Sequence, residues 1–233
     1  MSDADAFRAL EAKVDQLTRQ VALLEDANAV RGLHHKYGYY LDACLYEAVV
    51  DLFAEDAELK FLNGIYRGKA SIRRLYCDWL RALWTDGREG PRQGLMYDHL
   101  LLQDVVDVAP DGLTARGRFR CLMQGGWHES MQNPPPVPSQ LWEAGVYENT
   151  YVKQDGVWKF LRFDYNMLWQ ADYEKGWAHS GVHLKPLTQT YPADPKGPDE
   201  LTPFTQQAWP HTRVVPFHYP HPVTGETWQG VSE

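Results

Sequence analysis

LWEAGVYENTYVKQDGVWKFLRFDYNMLW, residues 141–169, decides the fold. On both sides of Gln154-Asp155-Gly156 the apolar period is two, which predicts strands over Leu141 to Lys153 and Val157 to Trp169 joined by a tight turn. Toward the N-terminus, His99 to Val106 and Leu113 to Met123 carry the same period, with the turn Ala109-Pro110-Asp111-Gly112 between them. Farther back the pattern becomes helical. Ser71 reads as the N-cap of a helix from Ile72 to Leu83, with Leu75, Trp79 and Leu83 on one stripe. A short apolar strand, Glu58 to Phe61, precedes the turn Asn63-Gly64, and helical patterns cover Ala29 to Asp42 and Leu45 to Ala54. Helices first and antiparallel strands afterward predict an α+β domain, a cone of helices packed on a curled, mixed, mainly antiparallel sheet.

Both ends differ in texture from this body, and the expected division is 1–29, 30–183 and 184–233. In the first segment Phe7, Leu10, Val14, Leu17, Val21, Leu24 and Asn28 recur at alternating steps of three and four, the seam of a heptad helix over residues 5 to 29. Valine at a and leucine at d suit a two-stranded pairing, with Asn28 fixing register; the other reading is an amphipathic helix lying on its own domain. The last segment holds nine of the fifteen prolines, so it forms neither a sheet centre nor a long helix. It keeps Tyr191, Phe204, Trp209, Phe217, Tyr219 and Trp228, a set that a disordered linker would lack, and is expected to wrap the domain or a neighbouring subunit.

Thirty-one acidic against 23 basic residues give a net charge of −8 over 233 residues, which disfavours a nucleic-acid partner because phosphate binding needs a basic face. Cys44, Cys77 and Cys121 are odd in number and far apart, as expected of reduced thiols in a cytoplasmic protein. The first thirty residues carry alternating charges, and no stretch has eighteen apolar residues in a row, so neither secretion nor a membrane partner is expected. Nine Trp and thirteen Tyr are enough to line a pocket for a flat apolar ligand as well as to build a core.

Tyr37-x4-Asp42, Leu52-Phe53-Ala54-x-Asp56-Ala57, Gly64-x-Tyr66-x-Gly68-x2-Ser71-Ile72, His99 and Gly145-x-Tyr147-Glu148-Asn149-x-Tyr151-x3-Asp155-Gly156-x-Trp158-Lys159 follow one another in an informative order. Together, over roughly residues 29 to 170, they resemble the nuclear transport factor 2-like, SnoaL-like superfamily of α+β cones with a deep pocket. Within it, scytalone dehydratase, bile-acid 7α-dehydratase and hexachlorocyclohexane dehydrochlorinase are lyases that need no cofactor and are built around a His and an Asp. The resemblance implies that His99 and Asp42 take those places and that Tyr37 matches the tyrosine of the bile-acid enzyme. The arginine that some relatives use to hold substrate is missing from the strand at Gly145. The tryptophan-rich stretch and the proline-rich tail resemble a branch of bacterial lyases of aromatic catabolism, including the lignin diarylpropane γ-formaldehyde lyase.

Elimination needs a base for one hydrogen and an acid for the departing oxygen, and histidine serves as either near neutral pH. In this reading Asp42 orients His99, His99 carries the proton, and Tyr37 hydrogen-bonds the leaving hydroxyl. Arg118 and Arg120 leave their strand by one face, where they bind an anionic substrate group if that face is the pocket; Phe119 and Cys121 between and after them favour the outside. Tyr147 and Asn149 are expected in the pocket, and Tyr66, Trp142, Phe163 and Trp169 as stacking walls. His179 with His183, and His218 with His221, have ligand-like spacings, but Gly181 and the flanking prolines argue against a metal. No nucleotide-binding glycine loop or serine nucleophile elbow is present. The expectation is a lyase without cofactor, acting on a bulky hydroxylated aromatic compound, a lignin-derived diarylpropane diol that yields formaldehyde and a stilbene. Alternatives are simple dehydration of an aromatic or steroid-like alcohol, a non-catalytic small subunit of a ring-hydroxylating dioxygenase, and a binding or cyclase-like protein of polyketide metabolism. A homo-oligomer, dimer or trimer, is expected.

Overall fold

The computed structural model describes residues 2–203, 208–211 and 214–228. Helix α1 spans Asp3–Asp42 and opens on a capping box in which Ser2 and Asp5 satisfy each other's backbone N–H groups. The two helices expected on either side of residue 29 are therefore one, since no proline or strained glycine interrupts the stretch. Helix α2 (Tyr46–Asp51) stops earlier than its pattern suggested, because Phe53 opens strand β1 (Phe53–Phe61) and pairs with Phe160. After β2 (Gly64–Arg67) the chain is helical from Gly68 to Thr85: α3 (Gly68–Arg73), a π-helical turn over Arg74–Leu80, and α4 (Arg81–Thr85). Ser71 is inside this helix rather than at its cap, because its buried side chain is engaged by Asp199 of the tail.

Four long strands follow: β3 (Leu95–Val108), β4 (Thr114–Trp127), β5 (Gln140–Gln154) and β6 (Val157–Asp172). A single turn, α5 (Gly176–His179), and a two-residue strand, β7 (Glu200–Leu201), complete the described elements. The seven strands form one open sheet in the order β3-β4-β5-β6-β1-β2-β7, antiparallel throughout except for β1 beside β6. An α+β cone with a mixed, mainly antiparallel sheet is thus the observed architecture. Its core lies between the helices and one sheet face, where rings of Tyr37, Phe53, Phe119, Tyr151, Phe160 and Phe163 meet.

The tail lies on its own domain. Asn63 exchanges hydrogen bonds with the backbone of Leu187, and β7 extends the sheet beside β2. The chain then crosses to the other sheet face, where Trp209 N–H bonds to Leu168 and Arg118 lies over the Phe217 ring. Phe204 of the tail lies outside the described residues. The three cysteines are unpaired and buried. Among the described residues no helix is long and apolar enough to cross a membrane.

Candidate active site

A cavity of about 320 Å³ opens between the helices and the concave sheet face. That volume is in the range of small-molecule sites. Its walls are mostly apolar, with Trp79, Leu83 and Trp84 from the helical stretch, Phe61 from β1, and Pro136 to Pro138 from the loop before β5. Polar groups reach it from the sheet. His99 pairs in register with Met123, Met123 with Glu143, and Glu143 with Gln170, so one rung across β3, β4, β5 and β6 puts four side chains on the cavity wall. Strands about 4.8 Å apart separate the His99 and Glu143 backbones by roughly 10 Å, room for a substrate between them.

Asp42, the last residue of α1, holds His99. Its Oδ1 accepts the backbone N–H of His99 at 3.0 Å and the ring Nδ1–H at 2.7 Å. Nδ1 is thereby the protonated ring nitrogen toward the carboxylate, and Nε2 is the atom left for the cavity. The contact depends on how closely α1 lies on β3. A Cβ at Gly38 would stand 2.8 Å from Leu101 Cδ1, so glycine is what lets the helix end reach the strand. Tyr97 meets the His99 ring edge-on at 4.6 Å and limits its rotation. Tyr37, five residues before Asp42, also faces the cavity, and its hydroxyl is 3.0 Å from that of Tyr76.

Glu143 is a second carboxyl at this site, and no sequence motif singled it out. Its Oε1 accepts the Tyr165 hydroxyl at 2.8 Å and its Oε2 accepts the Gln170 amide at 2.7 Å. Burial raises its pKa above the ordinary carboxylate range, while Tyr165, the nearby His99 and Gln170 act in the opposite direction. Burial disfavours the charged form of Glu143, which suits it to give a proton across the cavity wall from the His99 imidazole. A signal existed: Leu141, Glu143, Gly145 and Tyr147 share one parity of the strand, and a lone carboxylate among apolar neighbours marks that face.

Of the residues singled out from sequence, the structure brings His99, Asp42, Tyr37, Tyr147 and Phe163 together at or beside the cavity. The others lie elsewhere. Arg118 and Arg120 leave by the opposite sheet face, as their alternation with buried Phe119 and Cys121 requires; Arg118 pairs there with Glu148. Trp142 is on that outer face too, stacked on Tyr173. Trp169 is turned outward against Trp177, because Leu168 is an extra residue in β6 opposite Ala144 and Gly145 and the alternation reverses there, which points Gln170 inward instead. Asn149 is buried away from the cavity, bonding to the Asp164 N–H at 3.0 Å and lying near His34. Tyr66 is buried beneath the tail, its hydroxyl donating to the Lys196 carbonyl.

His183 is tied to Asp172, and His218 stands between Glu148 and Asp107. Among the described residues no three His, Cys, Asp or Glu side chains are grouped so as to hold a metal ion.

No curated protein matches the sequence. Among solved structures, the chain is similar to a protein assigned as a scytalone dehydratase from Novosphingobium aromaticivorans. The identity is 22% over 66% of this chain and 91% of that one, with a TM-score of 0.53. It is also similar to a type 3 hexachlorocyclohexane dehydrochlorinase from Novosphingobium barchaimii, at 19% identity over 72% of this chain and 99% of that one, with a TM-score of 0.52. These likenesses are of fold. Residues 22–164, more than half of the chain, match the family model of the SnoaL-like domain. The chain, with its helical cone and curled sheet, belongs to the SnoaL-like family.

Proposed function

We propose that this protein is a lyase that needs no cofactor and eliminates water from a bulky hydroxylated aromatic compound. The observation that carries the reading is the Asp42-oriented imidazole of His99 on the wall of a largely apolar cavity, with a buried carboxyl one rung position beyond Met123. Its similarity to a scytalone dehydratase and a dehydrochlorinase supports elimination as the reaction class.

In the proposed step His99 Nε2 takes the proton from the carbon next to the carbinol. The C–H electron pair becomes the new C=C bond, the C–O bond breaks, and protonated Glu143 supplies the proton with which hydroxide leaves as water. Transfer of the proton from His99 back to Glu143 restores the starting state, so the sum is alcohol to alkene plus water. Asp42 is a positioning residue that holds Nδ1–H and leaves Nε2 to the cavity, Tyr37 and Tyr76 offer hydroxyls to the substrate oxygen, and Trp79, Trp84 and Phe61 flank the ring. A carbanion-stabilising substrate lowers the barrier of the first transfer, which favours compounds with an aromatic ring or carbonyl beside the acidic carbon.

The finer proposal is a diarylpropane diol with a para-phenol. Glu143 gives the proton with which the benzylic hydroxyl leaves as water and regains it from the phenol, which leaves a quinone methide. His99 then takes the proton of the neighbouring hydroxymethyl group, formaldehyde leaves, the C–C pair forms the stilbene while the ring rearomatises as the phenolate, and the His99 proton passes to that phenolate. The products sum to stilbene, water and formaldehyde.

The test is steady-state turnover of aromatic alcohols and diarylpropane diols by the parent and by His99→Ala, with products read by mass spectrometry. The expected result is a loss of kcat of roughly 10²–10⁴-fold in the variant. Equal turnover in the two proteins would remove His99 from the reaction. Absence of activity in the parent together with co-purification of an iron–sulfur oxygenase would replace the lyase reading by the subunit one.

A further inference from the structure

The site uses only the last turns of α1. Every residue from Ser2 to Ala22 is exposed, so about 20 residues of helix, roughly 30 Å, project from the cone without support from their own chain. What the stretch lacks is tertiary packing of its apolar face, from which most helix stability in proteins comes. Its apolar side chains are also the ones left in solvent: Phe7, Leu10, Val14, Leu17, Val21 and Leu24 are 51–67% exposed. All six stand at a or d of three consecutive heptads, and the next a position is Asn28, also exposed.

We propose that this segment is the interface with a second copy of the chain, a parallel two-stranded coiled coil over residues 3–28. Three observations select that occupant. First, the seam is narrow and regular over its whole length, as knobs-into-holes packing against an equal helix requires; a groove on a globular partner would engage one or two turns. Second, the residue types match: valine at two a positions, leucine at every d, and a single asparagine at a, the combination that favours two parallel strands and fixes their register. Third, parallel alignment sets Asn28 against Asn28 and faces Lys13 with Thr18 and Gln20 with Glu25, without a like-charged pair. An antiparallel pair that matches Phe7 with Leu24 would instead set Asn28 opposite Asp3. At roughly 60–120 Å² per apolar side chain, six half-exposed residues from each helix remove on the order of 1,000 Å² from water. The stems of Glu11, Lys13, Gln20 and Glu25 add to this, and side-by-side contact over all three heptads is needed to approach the area of a small specific interface.

The test is sedimentation equilibrium of the full chain and of Leu10→Glu/Leu17→Glu, with near-UV circular dichroism as the control for the cone. The expected result is a twofold lower mass for the variant with an unchanged spectrum. A separate Val21→Cys variant reports on orientation: oxidised, it should link to its own copy, since identical a positions meet, and the three native thiols are buried. A monomeric parent, equal mass in parent and variant, or no Val21→Cys link under conditions where Leu10→Cys/Val21→Cys does link, the antiparallel pattern, would each overturn the proposal.

Discussion

Glu143 and His99 lie on one rung of the sheet but are held in opposite ways. Asp42 meets His99 with a carboxylate that accepts two N–H bonds, and each bond of this charge-assisted kind is worth about 1.5–3 kcal/mol. Glu143 receives a phenol and an amide, neither of which carries charge, inside an apolar wall. Its raised pKa has a consequence for stability with a definite sign. The folded protein keeps the Glu143 proton to higher pH than the unfolded chain does, so ionising it in place costs stability as pH rises from the ordinary carboxylate range to the raised folded value. Glu143→Gln, which cannot ionise, should therefore gain stability relative to the parent across that window, on the order of 1 kcal/mol for each pH unit it spans. Urea denaturation of both proteins at pH 4 and pH 7.5 measures the difference, and a gap that does not widen with pH would mean that Glu143 is not strained by burial. His99 was legible in the sequence because it stands in an ordered series of motifs; Glu143 was not, because a single carboxylate within a strand has no motif and only its parity placed it inside.

At the scale of elements, two glycines govern where polar groups arrive. Gly38 lets α1 lie on β3, and Gly145 lets the Tyr165 ring cross β5 to reach Glu143: a Cβ at Gly145 would stand 2.5 Å from that ring. Gly145→Ala should displace Tyr165, lower stability by about 1–3 kcal/mol, and reduce turnover through Glu143. Thermal unfolding and kinetics check this, and an unperturbed melting temperature would show that the ring has another place to go. The strands and their turns were readable because alternation with a period of two is set by the pleat. The faces of their ends were not, since the extra residue Leu168 reverses the alternation in β6 and exchanges Trp169 for Gln170 at the cavity. Ser71 misled for a related reason: a serine before an apolar run has the local features of a cap, but its partner, Asp199, is far along the chain.

In the whole molecule, the tail joins the cavity to the outer face of the sheet. His183 N–H bonds to Gln170, whose amide bonds to Glu143, so the start of the tail is connected to the cavity's acid. At the other end His218 is held between Glu148 and Asp107. Tyr191 and Phe217 of the proline-rich segment meet Arg74 and Arg118 of the domain, whereas which surface the segment covers depended on contacts more than a hundred residues apart and could not be read locally. Elimination as proposed requires substrate between His99 and Glu143. A crystal structure of the His99→Ala protein soaked with an aromatic diol tests this placement. The carbinol is expected within hydrogen-bond distance of Glu143, the adjacent carbon facing the space vacated by the imidazole, and the ring against Trp79 and Phe61. A ligand seated on the outer face beside Arg118, with the cavity empty, would contradict it.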